Sequence, residues 1–155
     1  MTRSGYLASR LREVLLNGTW IANTNCSDQI QHMPWMLAIR QVNNLNSVAL
    51  LTFHLNYYLI GLLHVLNGGQ LEIRDKFSFD MPPITSEDEW KELVRSFLMH
   101  AEAFAQKVEE LPDTVLDEPF TDVKYGTYLR NIEGVIEHSY YHLGQMVLIR
   151  KLLDA

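Results

Sequence analysis

His138 and His142 stand four residues apart in the run Glu137-His138-Ser139-Tyr140-Tyr141-His142. On a helix that spacing stacks both imidazoles on one face, one turn apart, where they can reach a single ion. The chemistry open to such a pair is divalent-metal binding through neutral ring nitrogens. The other reading is a pair of buried, hydrogen-bonded histidines that bind nothing. Ser139 stands where a metalloprotease helix places its Glu, directly after the first His, so hydrolysis by that motif is not indicated. A third ligand has to come from another element. His54 lies in the apolar run Ala49-Leu50-Leu51-Thr52-Phe53-His54-Leu55, where a buried imidazole needs a polar partner, and it is the favoured candidate. His64 is its rival on the same segment, turned about 80° away around the helix. His100 and His32 rank below both. Cys26 is the single cysteine, which excludes an internal disulfide and a Cys-rich metal site and fits a reducing cytoplasm.

Four helical segments would carry these residues. Leu7, Leu11, Val14 and Leu15 recur at helical spacing over residues 4–16, and Asn17-Gly18 stops the pattern. Residues 19–46 read as irregular with helical pieces, broken near Pro34 and at Asn43-Asn44. Asn46 or Ser47 caps a second helix that runs to Leu66 and is closed by Asn67-Gly68-Gly69. Pro82-Pro83 marks residues 70–84 as an ordered crossover. Thr85, followed by Ser86-Glu87-Asp88-Glu89, predicts the start of a third helix that reaches about Leu111 before Pro112. After the linker 113–124, Gly126 or Thr127 opens a fourth helix to Leu153, with Arg150 and Lys151 at its dipole-favoured end. No strand pattern competes, so an all-α four-helix bundle with long crossover connections, one domain over residues 1–155, is expected.

Composition narrows the partners. The 155 residues are 47% apolar and 21% charged, as in a folded globular domain. A net charge of −6 offers no basic footprint for nucleic acid or an anionic membrane surface. Val48 to Leu66 is long enough to span a bilayer, but it carries His54, Asn56, Tyr57, Tyr58 and His64 without flanking basic residues, and reads as a core helix. Met1-Thr2-Arg3-Ser4-Gly5-Tyr6 leads into an amphipathic segment and not a secretory signal, so a cytoplasmic location is expected.

Two blocks resemble a known family, the DinB-like (DinB/YfiT) superfamily of metal-dependent enzymes. Ser47-Val48-Ala49-Leu50-Leu51-Thr52-Phe53-His54 is similar to its second-helix signature ending in His. Ile136-Glu137-His138-Ser139-Tyr140-Tyr141-His142-Leu143-Gly144-Gln145-Met146 is similar to its C-terminal His-x-x-x-His-x-Gly-Gln block. By helix length and order the resemblance extends over the whole chain. It implies a bundle of unusual connectivity, often a homodimer, with a divalent ion, nickel or zinc, held by His54, His138 and His142. Some members are thiol-dependent transferases or isomerases that use mycothiol or bacillithiol, so the resemblance also implies a low-molecular-weight thiol and a small electrophilic substrate as partners.

Three neutral histidines with an open position suit thiol S-transfer or hydrolysis. The competing expectation is a non-catalytic bundle that binds a metal or small ligand as sensor, store or staple. A bland helical dimer with merely buried histidines is the third. Gln145 reads as a hydrogen bonder to a ligand or as an ordinary polar helix residue, and Gly144 as a site of close helix packing. Tyr57, Tyr58, Tyr140 and Tyr141 read as core residues or pocket walls. Glu137 points about 100° from His138 and reads as solvated. No dedicated general base is legible, and the segments that would choose a substrate, 19–46, 70–84 and 113–125, follow no readable pattern.

Overall fold

Helix boundaries in the computed structural model, which describes residues 1–154, follow local hydrogen-bond chemistry. Helix α1 (Arg3–Arg12) starts where the Thr2 hydroxyl oxygen accepts the Gly5 N–H at 2.9 Å, and it runs on into a π-helical turn, Glu13–Asn17. The expected regular helix to residue 16 is thus modified in its last turn, which widens so that Val14 and Leu15 are both fully buried. Two short helices, α2 (Cys26–Ile30) and α3 (Trp35–Ala38), occupy the irregular stretch. Helix α4 (Val48–Leu66) is capped by Ser47 and terminated at Gly68, whose φ of +95° is one that residues with a Cβ rarely adopt. Helix α5 (Glu87–Glu109) is capped by Ser86, not Thr85. Thr85 instead donates its N–H and hydroxyl to the Glu89 carboxylate, which reaches back over the cap. Helix α6 (Tyr128–Leu153) is capped by Thr127.

The described residues are all-helical, apart from an isolated bridge between Pro119 and Thr127. Helix α5 packs against α1 and α4 on one side of the core, and α6 packs against the same two on the other. The neighbour order is therefore α1, α5, α4, α6, and the connections 18–47 and 110–127 each join helices that are not principal neighbours. Such diagonal connections have to be long, which is why the chain spends so many residues outside its helices. Leu11, Leu51, Leu59, Trp90, Phe97, Ile132, Ile136 and Met146 fill the shared centre. Helix α4 is the one described helix long and apolar enough to cross a membrane, and 56% of its most apolar window is buried inside this core.

The connections are pinned by polar contacts. Trp90 Nε1–H donates to the Met33 carbonyl at 2.8 Å, and Arg150 Nη1 donates to the Gln29 carbonyl at 2.7 Å, fastening residues 19–46 to α5 and α6. Residues 67–86 lie along α4. There the Tyr57 hydroxyl accepts the Arg74 N–H at 2.8 Å and donates to its carbonyl at 3.0 Å, and Tyr58 donates to the Asp75 carboxylate at 2.6 Å. Gly61 leaves the notch that seats Ile73. Gly144, expected at a close helix contact, instead faces open space.

These two glycines predict opposite outcomes. A Cβ at position 61 would stand 2.1 Å from Ile73 Cγ2. Gly61→Ala is therefore expected to lower the unfolding free energy by about 1–3 kcal/mol through overpacking. Gly144→Ala meets no neighbour and is expected to raise it by about 0.5–1 kcal/mol. Urea unfolding of both variants checks the contrast.

Candidate metal centre

Helices α4 and α6 turn His54, His138 and His142 toward one point. His138 Nε2 lies 3.1 Å from His54 Nε2 and 2.9 Å from His142 Nε2, and the three ligand-capable nitrogens are within 4.8 Å of one another. Local sequence explains the convergence: residues 138 and 142 share a face of α6, and His54 sits on the buried face of α4. His54 and His142 are each 5% exposed and His138 is half-buried.

The outer nitrogens decide what the inner ones present. His54 Nδ1–H donates to the Ser78 carbonyl at 3.2 Å, and His142 Nδ1–H donates to Gln145 Oε1 at 2.7 Å. Each bond places the proton on Nδ1 and leaves a bare lone pair on Nε2 facing inward. The single proton that His138 Nε2 can carry satisfies one of those lone pairs at a time. The donor set therefore fits a cation. Zinc–imidazole bonds of about 2.0–2.1 Å in a tetrahedral arrangement hold their nitrogens about 3.3 Å apart, close to the separations His138 makes. Gln145 is thus a tautomer-setting partner and not a spare polar residue on the helix surface.

Aromatic rings wall the cluster. Phe79 stacks on His54 with centroids 4.0 Å apart and planes 5° from parallel, while Tyr58 stands edge-on to His54 and His138 at 5.2 and 5.4 Å. Burial among these rings, reinforced by neighbouring imidazoles, pulls His138 down to about 4 and lowers His54. Burial lowers His142 as well, partly offset by its bond to Gln145. All three are neutral near pH 7, the form that donates to a metal. A cleft of about 690 Å³ opens beside His138, between α4, α6 and residues 71–75.

The remaining histidines stand elsewhere. His64 packs at the end of α4 on Gly69, where a Cβ would come within 2.2 Å of its Nε2. His100 shares its Nδ1 with Asn56 Oδ1 at 3.1 Å and Ser96 Oγ at 3.3 Å between α4 and α5. His32 is exposed in a turn. Glu137 is solvated, as its spacing predicts, and pairs with Arg130. Sequence reasoning missed Ser78 and Asp75, because a backbone carbonyl has no residue signature and Asp75 sits in the unpatterned crossover. The pair Phe77 and Phe79 was the one visible sign there.

Comparison of the chain with protein-family models, curated proteins and solved structures finds no match. The fold and site define an all-helical protein with a three-histidine cluster able to hold a metal ion.

The depressed imidazoles set a pH dependence for metal-free protein. Between the folded value of about 4 for His138 and the ordinary 6.5, the unfolded chain binds more protons than the folded one. The stability these groups contribute is complete above 6.5 and is lost as pH falls toward 4. Urea midpoints of chelator-treated protein should rise with pH across that window, and the rise should shrink in His138→Gln.

Proposed function

We propose that this chain is a divalent-metal-dependent enzyme of the DinB-like kind, with His54, His138 and His142 as the ligands of zinc or nickel. The observation that carries the reading is the convergence of three Nε2 atoms, two of which, on His54 and His142, are turned inward as bare lone pairs because their Nδ1–H groups are tied to Ser78 and Gln145. When bound, such an ion supplies Lewis acidity that brings the pKa of a thiol or water toward neutrality. The chain's own residues hold the imidazoles neutral and oriented, set Phe79 and Tyr58 against the His54 ring, and leave the side toward the cleft open.

The reaction proposed is transfer of a low-molecular-weight thiol to a small electrophile, with hydrolysis as the other chemistry the same ligands serve. The diagonal helix order supports the DinB-like bundle with its long crossovers. The proposal includes a cytoplasmic homodimer without nucleic-acid or membrane partners, in keeping with the net charge of −6 and the burial of α4 in the core.

Elemental analysis of untagged protein tests the site first. About one divalent ion per chain is expected in the wild type, as for a mononuclear site, and none in the double variant His138→Ala, His142→Ala. No ion in either protein after incubation with zinc and nickel would end the proposal. A metal bound without turnover of any thiol and electrophile pair would leave the non-catalytic binding bundle in its place.

Gln145 gives a graded test. Gln145→Leu removes the acceptor for His142 Nδ1 without touching a ligand, and metal affinity is expected to fall by about 10–100-fold. Competition against a chromogenic chelator measures it, and unchanged affinity would remove Gln145 from the site.

A further inference from the structure

We propose that the cleft beside His138 is a pocket for an elongated amphiphilic anion, with the carboxylate met by the arginines of its lining, Arg74 and Arg130, and the apolar chain lying along the cleft that reaches His138. The inference rests on the three-histidine reading and names the class of molecule that would reach that centre.

The shape comes from the helices. His54 meets His138, while Leu62, two turns further along α4, lines the same cleft as Arg130, two turns back along α6. The two helices therefore run antiparallel here, and the cleft follows them for eight residues, about 12 Å at the α-helical rise. A chain of about eight carbons spans that length. Gly134 lies midway, and a Cβ there would find no heavy atom within 4 Å. The trough is open because that side chain is missing.

The lining sets the chemistry. Leu59, Leu62, Ile73 and Val135 give apolar walls, and the volume of about 690 Å³ is that of an ordinary small-ligand site. Arg74 and Arg130 both line this one cleft, in a chain whose net charge is −6. Among the described residues Arg74 takes part in no salt bridge. Arg130 pairs only with Glu137, both more than half exposed, a pairing that water already weakens. Asp75 is the wall's carboxylate, and one of its oxygens is taken up by the Tyr58 hydroxyl. Two arginines in the lining of a cleft with apolar walls favour a carboxylate with a hydrocarbon body over its neutral amide.

Calorimetric titration with octanoate and octanamide tests this, with metal content measured on every sample. Octanoate is expected to bind the wild type about tenfold more tightly than octanamide, the size of one charge-assisted hydrogen bond. In the double variant Arg74→Gln, Arg130→Gln the two ligands should bind alike. Gly134→Leu fills the trough and should lose both ligands while keeping its metal content and melting temperature; Gly134→Ala should weaken both and serves if the larger side chain disturbs folding. Absent octanoate binding, equal affinities in the wild type, or undiminished binding in both Gly134 variants would overturn the proposal. The expected ligand pattern in protein that takes up no metal would uphold the cleft and sink the three-histidine reading instead.

Discussion

Three imidazole nitrogens turned inward in a partly buried pocket impose a constraint on everything around them. Two of the rings are committed to Nδ1–H by a backbone carbonyl and a side-chain amide, so their inner lone pairs face His138 at 3.1 and 2.9 Å with one proton available between them. That proton satisfies one lone pair at a time. Added protons do not relieve this cheaply, because burial disfavours the imidazolium form and each charged ring disfavours the next. A cation resolves the frustration because it accepts all three lone pairs at once.

Holding that geometry requires elements distant in sequence. His54 comes from α4, its orienting carbonyl from the crossover at Ser78, and the other two rings from α6. The crossover is fixed to α4 by Tyr57, Tyr58 and the Ile73 seat on Gly61, so the Ser78 carbonyl and the Phe79 ring arrive at His54 as part of one strap. The contact side of α4 thus serves both as core and as the anchor of a segment with almost no regular structure. That double duty accounts for polar and aromatic residues within a helix apolar enough to resemble a membrane span.

The four longer helices were legible in the sequence because their ends depend on local chemistry: Ser47 and Thr127 as caps, Gly68 as a stop, Pro112 as a barrier. The one-residue error at Thr85 has the same origin, since Thr85 and Ser86 both offer a hydroxyl and only the backbone decides which caps. The His pair was legible from spacing, and His54 from its apolar context. The π-helical turn at Glu13–Asn17 was not, because it answers to burial of Val14 and Leu15 together, a tertiary demand. Nor could the role of Gly144 be read, since a glycine in a helix signals equally a close contact and an empty face.

The site divides along the same line. Residues that act through side chains at fixed helical spacing could be found in advance; those that act through position in a connection could not. Ser78 contributes a carbonyl that any residue would supply, provided the crossover places it there, so its identity carries no information while its location carries a great deal. Asp75 and Arg74 are similar: ordinary charged residues that matter because Tyr57 and Tyr58 tie their segment into the wall of the cleft. Helix spacing can specify the histidine cluster, but the wall of the cleft beside it belongs to the strap. A different cleft shape in such a bundle therefore needs no change in its histidines, only a different sequence across residues 71–75 and at Gly134, where the trough has open space.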